Sequence, residues 1–120
     1  MDTAALSPLL TRHEAATLME VTDYKVRSWA RQGQLVELHV DDQVVIPRIC
    51  LVVDPEGEGT LMPHPAIIGT YTALRDVGLT HGEAFAWLAT YNAEVGAIPL
   101  VELCTGHIHA VRRAIISTAL

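Results

Sequence analysis

Residues 11–33, TRHEAATLMEVTDYKVRSWARQG, decide the fold that this sequence predicts. Thr11 and Glu14 have the spacing of a capping box, in which a hydroxyl and a carboxylate accept hydrogen bonds from free backbone N–H groups at a helix start. A first helix is therefore expected at about residues 12–19, and a second at about residues 23–32. Two short helices joined by a tight turn are typical of a helix-turn-helix.

The second expected helix has an apolar face and a polar face. Thr22 or Asp23 is its expected cap, and Gly33 is expected in the left-handed conformation after its last turn. The apolar residues with core spacing are Val26, Trp29 and Ala30. The side chains left for the outer surface are Thr22, Tyr24, Lys25, Arg27, Ser28 and Arg31. Such side chains can bond guanine bases or phosphates, so the face favours a helix in the DNA major groove. An ordinary solvated helix face is the alternative.

A β-hairpin is expected directly after these helices. Residues 34–40 and 43–46 are rich in β-branched or alternating apolar residues, and they flank Asp41 and Asp42. This is the position of the wing in a winged helix-turn-helix. A wing tip normally approaches phosphates, and two aspartates would be repelled by them, so we interpret this wing as structural.

The charge of the chain weighs against a protein dedicated to nucleic acid. The net charge is −6, whereas such proteins are usually basic. The basic residues are nevertheless concentrated, because five of the eight lie in residues 1–51 and three of those lie in residues 25–31. Arg12 and Arg48 are further candidates for contact with the DNA backbone. Any DNA contact should therefore come from the first part of the chain.

Length and composition predict an intracellular globular protein. The chain has 120 residues, of which 50% are hydrophobic, and this length fits one domain or two very small ones. Cys50 and Cys104 lie in apolar runs, so we expect buried free thiols rather than a disulfide. The sequence shows neither a signal peptide nor an apolar stretch long enough to span a membrane. We expect a cytoplasmic, nucleoid-associated protein with no membrane contact.

The second half of the sequence predicts helices only. Residues 54–65, DPEGEGTLMPHP, are expected to be a linker or surface loop. Thr80 and Glu83 form a second capping box, and Pro99 has the position of a first helical residue. An earlier helix is expected at residues 66–77, where the core stripe is Ile67, Ile68, Tyr71 and Leu74.

The expected fold is mainly α: a winged helix-turn-helix with a small two-stranded β-hairpin, then a C-terminal bundle of about four helices. The expected segments are an N-terminal tail (1–10), a winged helix-turn-helix DNA-binding domain (11–53), a linker (54–65) and a C-terminal helical domain (66–120).

Two resemblances to known families sharpen these expectations. The stretch EAATLMEVTDYKVRSWARQGQL, with the hairpin after it, resembles the winged helix-turn-helix of MerR-like and excisionase-like DNA-binding domains. From about Pro8 onward, the order of segments is similar to an actinobacterial family of small DNA-binding proteins with a helical C-terminal domain. Some members of that family are regulated by Ser/Thr protein kinases, so the resemblance implies double-stranded DNA and a Ser/Thr kinase as partners.

The second resemblance covers residues 79–120. The segments GEAFAWL and YNAEVGAIPLVELCTG are similar to the C-terminal domain of Xre/MbcA/ParS-type antitoxins. Those domains bind a toxin or self-associate, so the resemblance implies a protein partner or self-association through this segment.

Candidates for chemistry are weak, and we expect no enzyme. Cys104, His107 and His109 have spacing that resembles part of a zinc site, but the two histidines face different sides of a helix and a fourth ligand is absent. No metal site and no cofactor are expected. Three hydroxyls near the first helix are candidate phosphorylation sites, where added negative charge would weaken DNA binding. They are Thr3, Ser7 and Thr11.

Two functions therefore remain. The first is a sequence-specific DNA-binding protein, a transcriptional regulator, with the helix at about residues 23–32 in the major groove. The alternative is an antitoxin-like interaction module whose C-terminal helical domain binds a partner protein.

Overall fold

The computed structural model describes residues 4–118, in which six α-helices and two small antiparallel sheets form the fold. The helices are α1 (Arg12–Met19), α2 (Asp23–Arg31), α3 (Ala66–Asp76), α4 (His81–Ala89), α5 (Pro99–Cys104) and α6 (Ile108–Thr118). The strands are β1 (Leu9–Leu10), β2 (Leu38–Val40), β3 (Gln43–Pro47), β4 (Leu51–Val53) and β5 (Leu61–Pro63), with a 3₁₀ turn (Arg48–Cys50) between β3 and β4. Within residues 4–118 we find no helix that is long and apolar enough to cross a bilayer.

The first helix pair has the expected bounds and caps. The Thr11 hydroxyl accepts a hydrogen bond from the Glu14 backbone N–H at 3.1 Å, and the Glu14 carboxylate accepts one from the Thr11 N–H at 2.9 Å. Thr22 caps α2, since its hydroxyl accepts from the Lys25 N–H at 3.1 Å. Gly33 follows α2 with a φ of 82°, as predicted. The two helices pack against each other directly.

The expected hairpin is part of a three-stranded sheet. Strands β2 and β3 are joined by Asp41 and Asp42, whose positive φ angles of 50° and 63° are typical of a two-residue hairpin turn. Strand β1 pairs with the other side of β3, and Leu6 before it is fully buried. The prediction that residues 1–10 form a tail is therefore wrong for residues 6–10. Their leucines supply an edge strand and core contacts.

The expected linker contains a strand. Strand β5 pairs antiparallel with β4, placing Val53 opposite Leu61, so residues 54–60 are the turn of a second hairpin. The prediction of a linker at 54–65 is therefore wrong in its second half. The packing has no break there, because one hydrophobic cluster extends from Leu6 to Ile115. The two expected domains therefore share a single core.

Four helices follow residue 65, as expected. The Thr80 hydroxyl and the Glu83 carboxylate form the predicted capping box, and these hydrogen bonds lower the pKa of Glu83. Pro99 occupies the first turn of α5. Tyr71 of α3 joins this bundle to the first helix pair. Its hydroxyl lies 2.7 Å from His81 Nδ1, and its ring packs so closely on Gly33 that no Cβ would fit there.

Candidate nucleic-acid interface

Helix α2 separates its apolar and basic side chains as the sequence pattern predicts. Val26 and Ala30 are buried and Trp29 is half-buried, because their spacing places them on the side that faces the core. The exposed residues on the opposite side are Thr22, Tyr24, Lys25, Arg27 and Arg31, whereas Ser28 is half-buried. Most of the six side chains predicted for the outer surface of α2 therefore lie exposed on one side of the helix. We call this surface the α2 outer face (Thr22, Tyr24, Lys25, Arg27, Ser28 and Arg31).

Two aromatic rings hold two of these cations in place. The Lys25 ammonium lies 5.1 Å from the centroid of the Trp29 ring, and the Arg31 guanidinium carbon lies 5.9 Å from that of Tyr24. Both are within the range of cation–π attraction, which leaves the N–H donors accessible. The i, i+4 spacing of Lys25 and Trp29 is a sequence signal that could have predicted the first contact.

The cations of the α2 outer face are not neutralised by carboxylates. Within residues 4–118, the ion pairs of the structure do not involve Lys25, Arg27 or Arg31. Phosphate oxygens could therefore bond these side chains without displacing a carboxylate. This surface is chemically suited to a polyanion.

The two aliphatic hydroxyls of the outer face, on Thr22 and Ser28, already have structural roles. The Thr22 hydroxyl accepts the capping hydrogen bond from Lys25, and Ser28 Oγ accepts a long one, 3.4 Å, from the Gln32 amide. Each hydroxyl keeps its own O–H donor, since accepting a hydrogen bond does not use it.

The structure commits the other two predicted arginines to partners inside the protein. Arg12 forms a two-pronged pair with Glu37, with Nε–O and Nη–O distances of 2.6 and 3.0 Å, and this hydrogen bonding raises the pKa of Arg12. Arg48 donates to the backbone carbonyl of Leu51 at 3.0 Å. Arg12 and Arg48 are therefore less available for contact with phosphates than the cations of the α2 outer face. Glu37 is distant from Arg12 in sequence, so no local pattern could have revealed the pair.

Acidic groups border the outer face. Asp23, in the first turn of α2, lies 3.2 Å from the imidazole of His13, which places the start of α1 beside the start of α2. Glu20, between the two helices, is exposed. The tip of the β2–β3 hairpin exposes Asp41 and Asp42. These carboxylates would repel phosphates that approach them.

The candidate phosphorylation sites that the structure describes, Thr11 and Ser7, are both exposed. Thr11 is exposed and its hydroxyl caps α1. Ser7 is exposed just before β1. Thr3 lies outside the described residues.

The cysteines and histidines near the C-terminus do not form a cluster. Burial raises the pKa of the Cys104 thiol to about 12, and it also raises that of Cys50, so both are protonated at neutral pH. His107 contacts the Glu102 carboxylate at 2.7 Å. Within residues 4–118, no group of three or more side chains is arranged to hold a metal ion.

A second surface lies on the C-terminal helices. A groove of about 420 Å³ is lined by residues of α4 and the segment after it, among them Trp87 and Tyr91. Tyr91 is 63% exposed, and Ile116 of α6 is 64% exposed. Large exposed apolar side chains of this kind are a feature of surfaces that contact other proteins.

Comparison with known proteins gives a likeness of fold. No known family model matches the chain, and no curated protein matches it. The NMR structure of Rv2175c is similar, with a TM-score of 0.71 and 24% sequence identity over 94% of this chain and 82% of that chain. At this identity the likeness concerns the fold alone, so the chain shares its fold with Rv2175c.

Proposed function

We propose that this protein is a sequence-specific DNA-binding protein, a transcriptional regulator, that places α2 in the major groove as the recognition helix of a winged helix-turn-helix. The observation that carries the proposal is the α2 outer face, where Lys25, Arg27 and Arg31 are exposed and have no carboxylate partner within residues 4–118. Side chains of this kind can bond base edges, which gives sequence specificity, and their contacts with phosphates orient the protein on the duplex.

The remaining basic and acidic groups define the limits of this interface. Arg12 and Arg48 hold the fold together through Glu37 and the Leu51 carbonyl, so we assign them a secondary role at the DNA backbone. Because the tip of the β2–β3 hairpin is acidic, we propose that this wing supports α2 and does not contact phosphates. Few phosphate contacts and a net charge of −6 imply modest affinity with a shallow dependence on salt, because the slope of log K against log salt grows with the number of phosphates neutralised.

A selection from genomic DNA tests this function. Purified protein is mixed with fragmented DNA of its own source at about 50 and 200 mM salt, and retained fragments are sequenced. We expect a shared sequence motif to be enriched at the low salt concentration and to persist, with lower yield, at the high one. Retention without any enriched motif would contradict sequence-specific binding, and absence of retention at low salt would contradict DNA binding altogether.

A second function, an antitoxin-like interaction module, has its own observation. Tyr91 is exposed and lines the groove that contains Trp87, and Ile116 of α6 is also exposed; both lie on the segment expected to bind a partner protein or to self-associate. Under this function, the double substitution Tyr91→Ser and Ile116→Ser should abolish co-purification of a partner or reduce the molar mass in solution to that of a monomer. A monomeric wild-type protein that co-purifies with no partner would contradict it.

A further inference from the structure

A second groove lies behind the recognition helix. It measures about 380 Å³, in the range of small-molecule sites, and it is bounded by the α1–α2 turn, α2, the β4–β5 hairpin and the start of α3. The side chains important here are Met19, Trp29, Asp54, Met62, His64 and Ile68. Ile68 was expected in the core but is 37% exposed, because it faces this groove.

The apolar wall of the groove consists of polarisable groups. Trp29, Met19 and Met62 line it together. Indole has the most electron-rich face among the aromatic side chains, and it attracts cations. Thioethers make favourable contacts with aromatic rings. Such a wall suits a flat aromatic body.

The polar groups of the groove provide one negative charge. Asp54 is the only side chain with a fixed charge among the described residues that line it. One of its oxygens accepts a hydrogen bond from the Glu56 N–H at 2.9 Å, and a carboxylate retains further acceptor capacity beyond one such bond. Burial lowers the pKa of His64, so its ring is neutral at pH 7, and its Nδ1 accepts from the Ala66 N–H at 3.1 Å. The groove is therefore anionic.

We propose that this groove binds a small organic cation with a flat aromatic body, seated on Trp29 with its ammonium group toward Asp54. Aromatic stacking, thioether contacts and one opposing carboxylate favour this ligand class over a neutral or anionic one of the same size. The site goes beyond the proposed DNA-binding function and does not depend on it.

Trp29 connects the groove to the α2 outer face. The Lys25 ammonium lies 5.1 Å from the centroid of the same indole ring. A bound cation near the ring would repel Lys25 and compete for the ring. Where the protein also binds DNA, occupancy of the groove would change the placement of an outer-face cation.

Ligand binding without DNA tests the proposal. The chain has two tryptophans, so Trp87→Phe leaves Trp29 as the single fluorescent reporter. The probes are 2-phenylethylammonium, 2-phenylethanol and 3-phenylpropionate, which share a phenyl ring and differ in charge. We expect the ammonium to perturb Trp29 fluorescence with an affinity roughly fivefold higher than that of the alcohol, and the carboxylate to bind most weakly.

Asp54→Asn identifies the carboxylate as the source of this order. In that variant the ammonium and the alcohol should bind equally, while Glu56→Gln, which removes a charge from the same turn outside the groove, should keep the preference. Equal affinities of the three probes for the unaltered groove, no binding of any probe, or a preference that survives Asp54→Asn would overturn the proposal. A change of Trp29 fluorescence with protein concentration alone would also overturn it, since a second copy would then occupy the groove.

Discussion

Gly33 is subject to two independent constraints. Its φ of 82° lies in the left-handed region, and a Cβ at this position would overlap the Tyr71 ring. The first constraint is local and ends α2, whereas the second holds the end of α2 against α3. The residue therefore joins the candidate interface to the helical bundle.

Substitution of Gly33 should be far more costly than substitution of a comparable glycine. Gly78 has the same place after α3, with a φ of 104°, but a Cβ there would meet no atom within 4 Å. We expect Gly78→Ala to lower the free energy of unfolding by about 1–2 kcal/mol and Gly33→Ala by roughly 3 kcal/mol or more, from backbone strain plus overpacking. Urea denaturation of both variants measures the difference. Equal losses would show that the Tyr71 ring moves aside without cost.

The local half of this behaviour was predictable from sequence. A glycine directly after an amphipathic helix predicts a left-handed backbone conformation, and Gly33 adopts this conformation. The contact with Tyr71 was not predictable, because it joins residues far apart in the chain. The Arg12–Glu37 pair was missed for the same reason. Periodicity describes which face is buried and does not say which residue will lie opposite.

The N-cap residue of α1, Thr11, is also a candidate phosphorylation site. Thr11 accepts from the Glu14 N–H, and the start of α1 lies beside the start of α2 through His13 and Asp23. Removing the cap and adding a negative charge are therefore separable changes at one position.

Two substitutions at Thr11 should have opposite consequences. We expect Thr11→Ala to cost about 1 kcal/mol of stability, because an N–H loses its acceptor, and to leave the DNA affinity of the folded protein unchanged. Thr11→Asp should keep the stability, since Asp is a good cap, and should weaken DNA binding severalfold at low salt through repulsion of phosphates. Thermal denaturation and DNA titration check the two effects. A Thr11→Asp variant with unaltered affinity would remove this site from the regulatory hypothesis.

At the scale of elements, strong local signals gave correct predictions and short strands did not. Helices α1 and α4 carry complete capping boxes, and both begin where these boxes predict. Strands β1 and β5 have two and three residues, too few to show a period, and each exists because a partner strand provides its hydrogen bonds. The tail and the linker were consequently predicted where the structure has sheet edges.

The whole molecule should unfold as one unit. One hydrophobic cluster joins the first helix pair to the C-terminal bundle, and Trp29 and Trp87 lie in these two parts. We expect that in Trp29→Phe and in Trp87→Phe the fluorescence of the remaining tryptophan and the far-ultraviolet circular dichroism show coincident urea transitions. A separate transition of either tryptophan would indicate two independently folding domains.

The charge of the whole molecule makes the location of its cations decisive. With a net charge of −6, general attraction to DNA is weak, so the proposed DNA binding depends on the α2 outer face. The chain offers a matched control, because Arg75, Arg112 and Arg113 are three exposed arginines outside that face. Replacing either set by alanine removes three positive charges.

The most direct test compares these two triple variants on a DNA site obtained by selection, with the binding constant measured as a function of salt. We expect Lys25→Ala, Arg27→Ala, Arg31→Ala to abolish specific binding and to flatten the slope of log K against log salt by about 0.9 for each phosphate that the variant no longer neutralises. The variant Arg75→Ala, Arg112→Ala, Arg113→Ala should retain affinity and slope. Equal weakening in both variants, or unaltered binding by the first, would contradict a recognition role for α2.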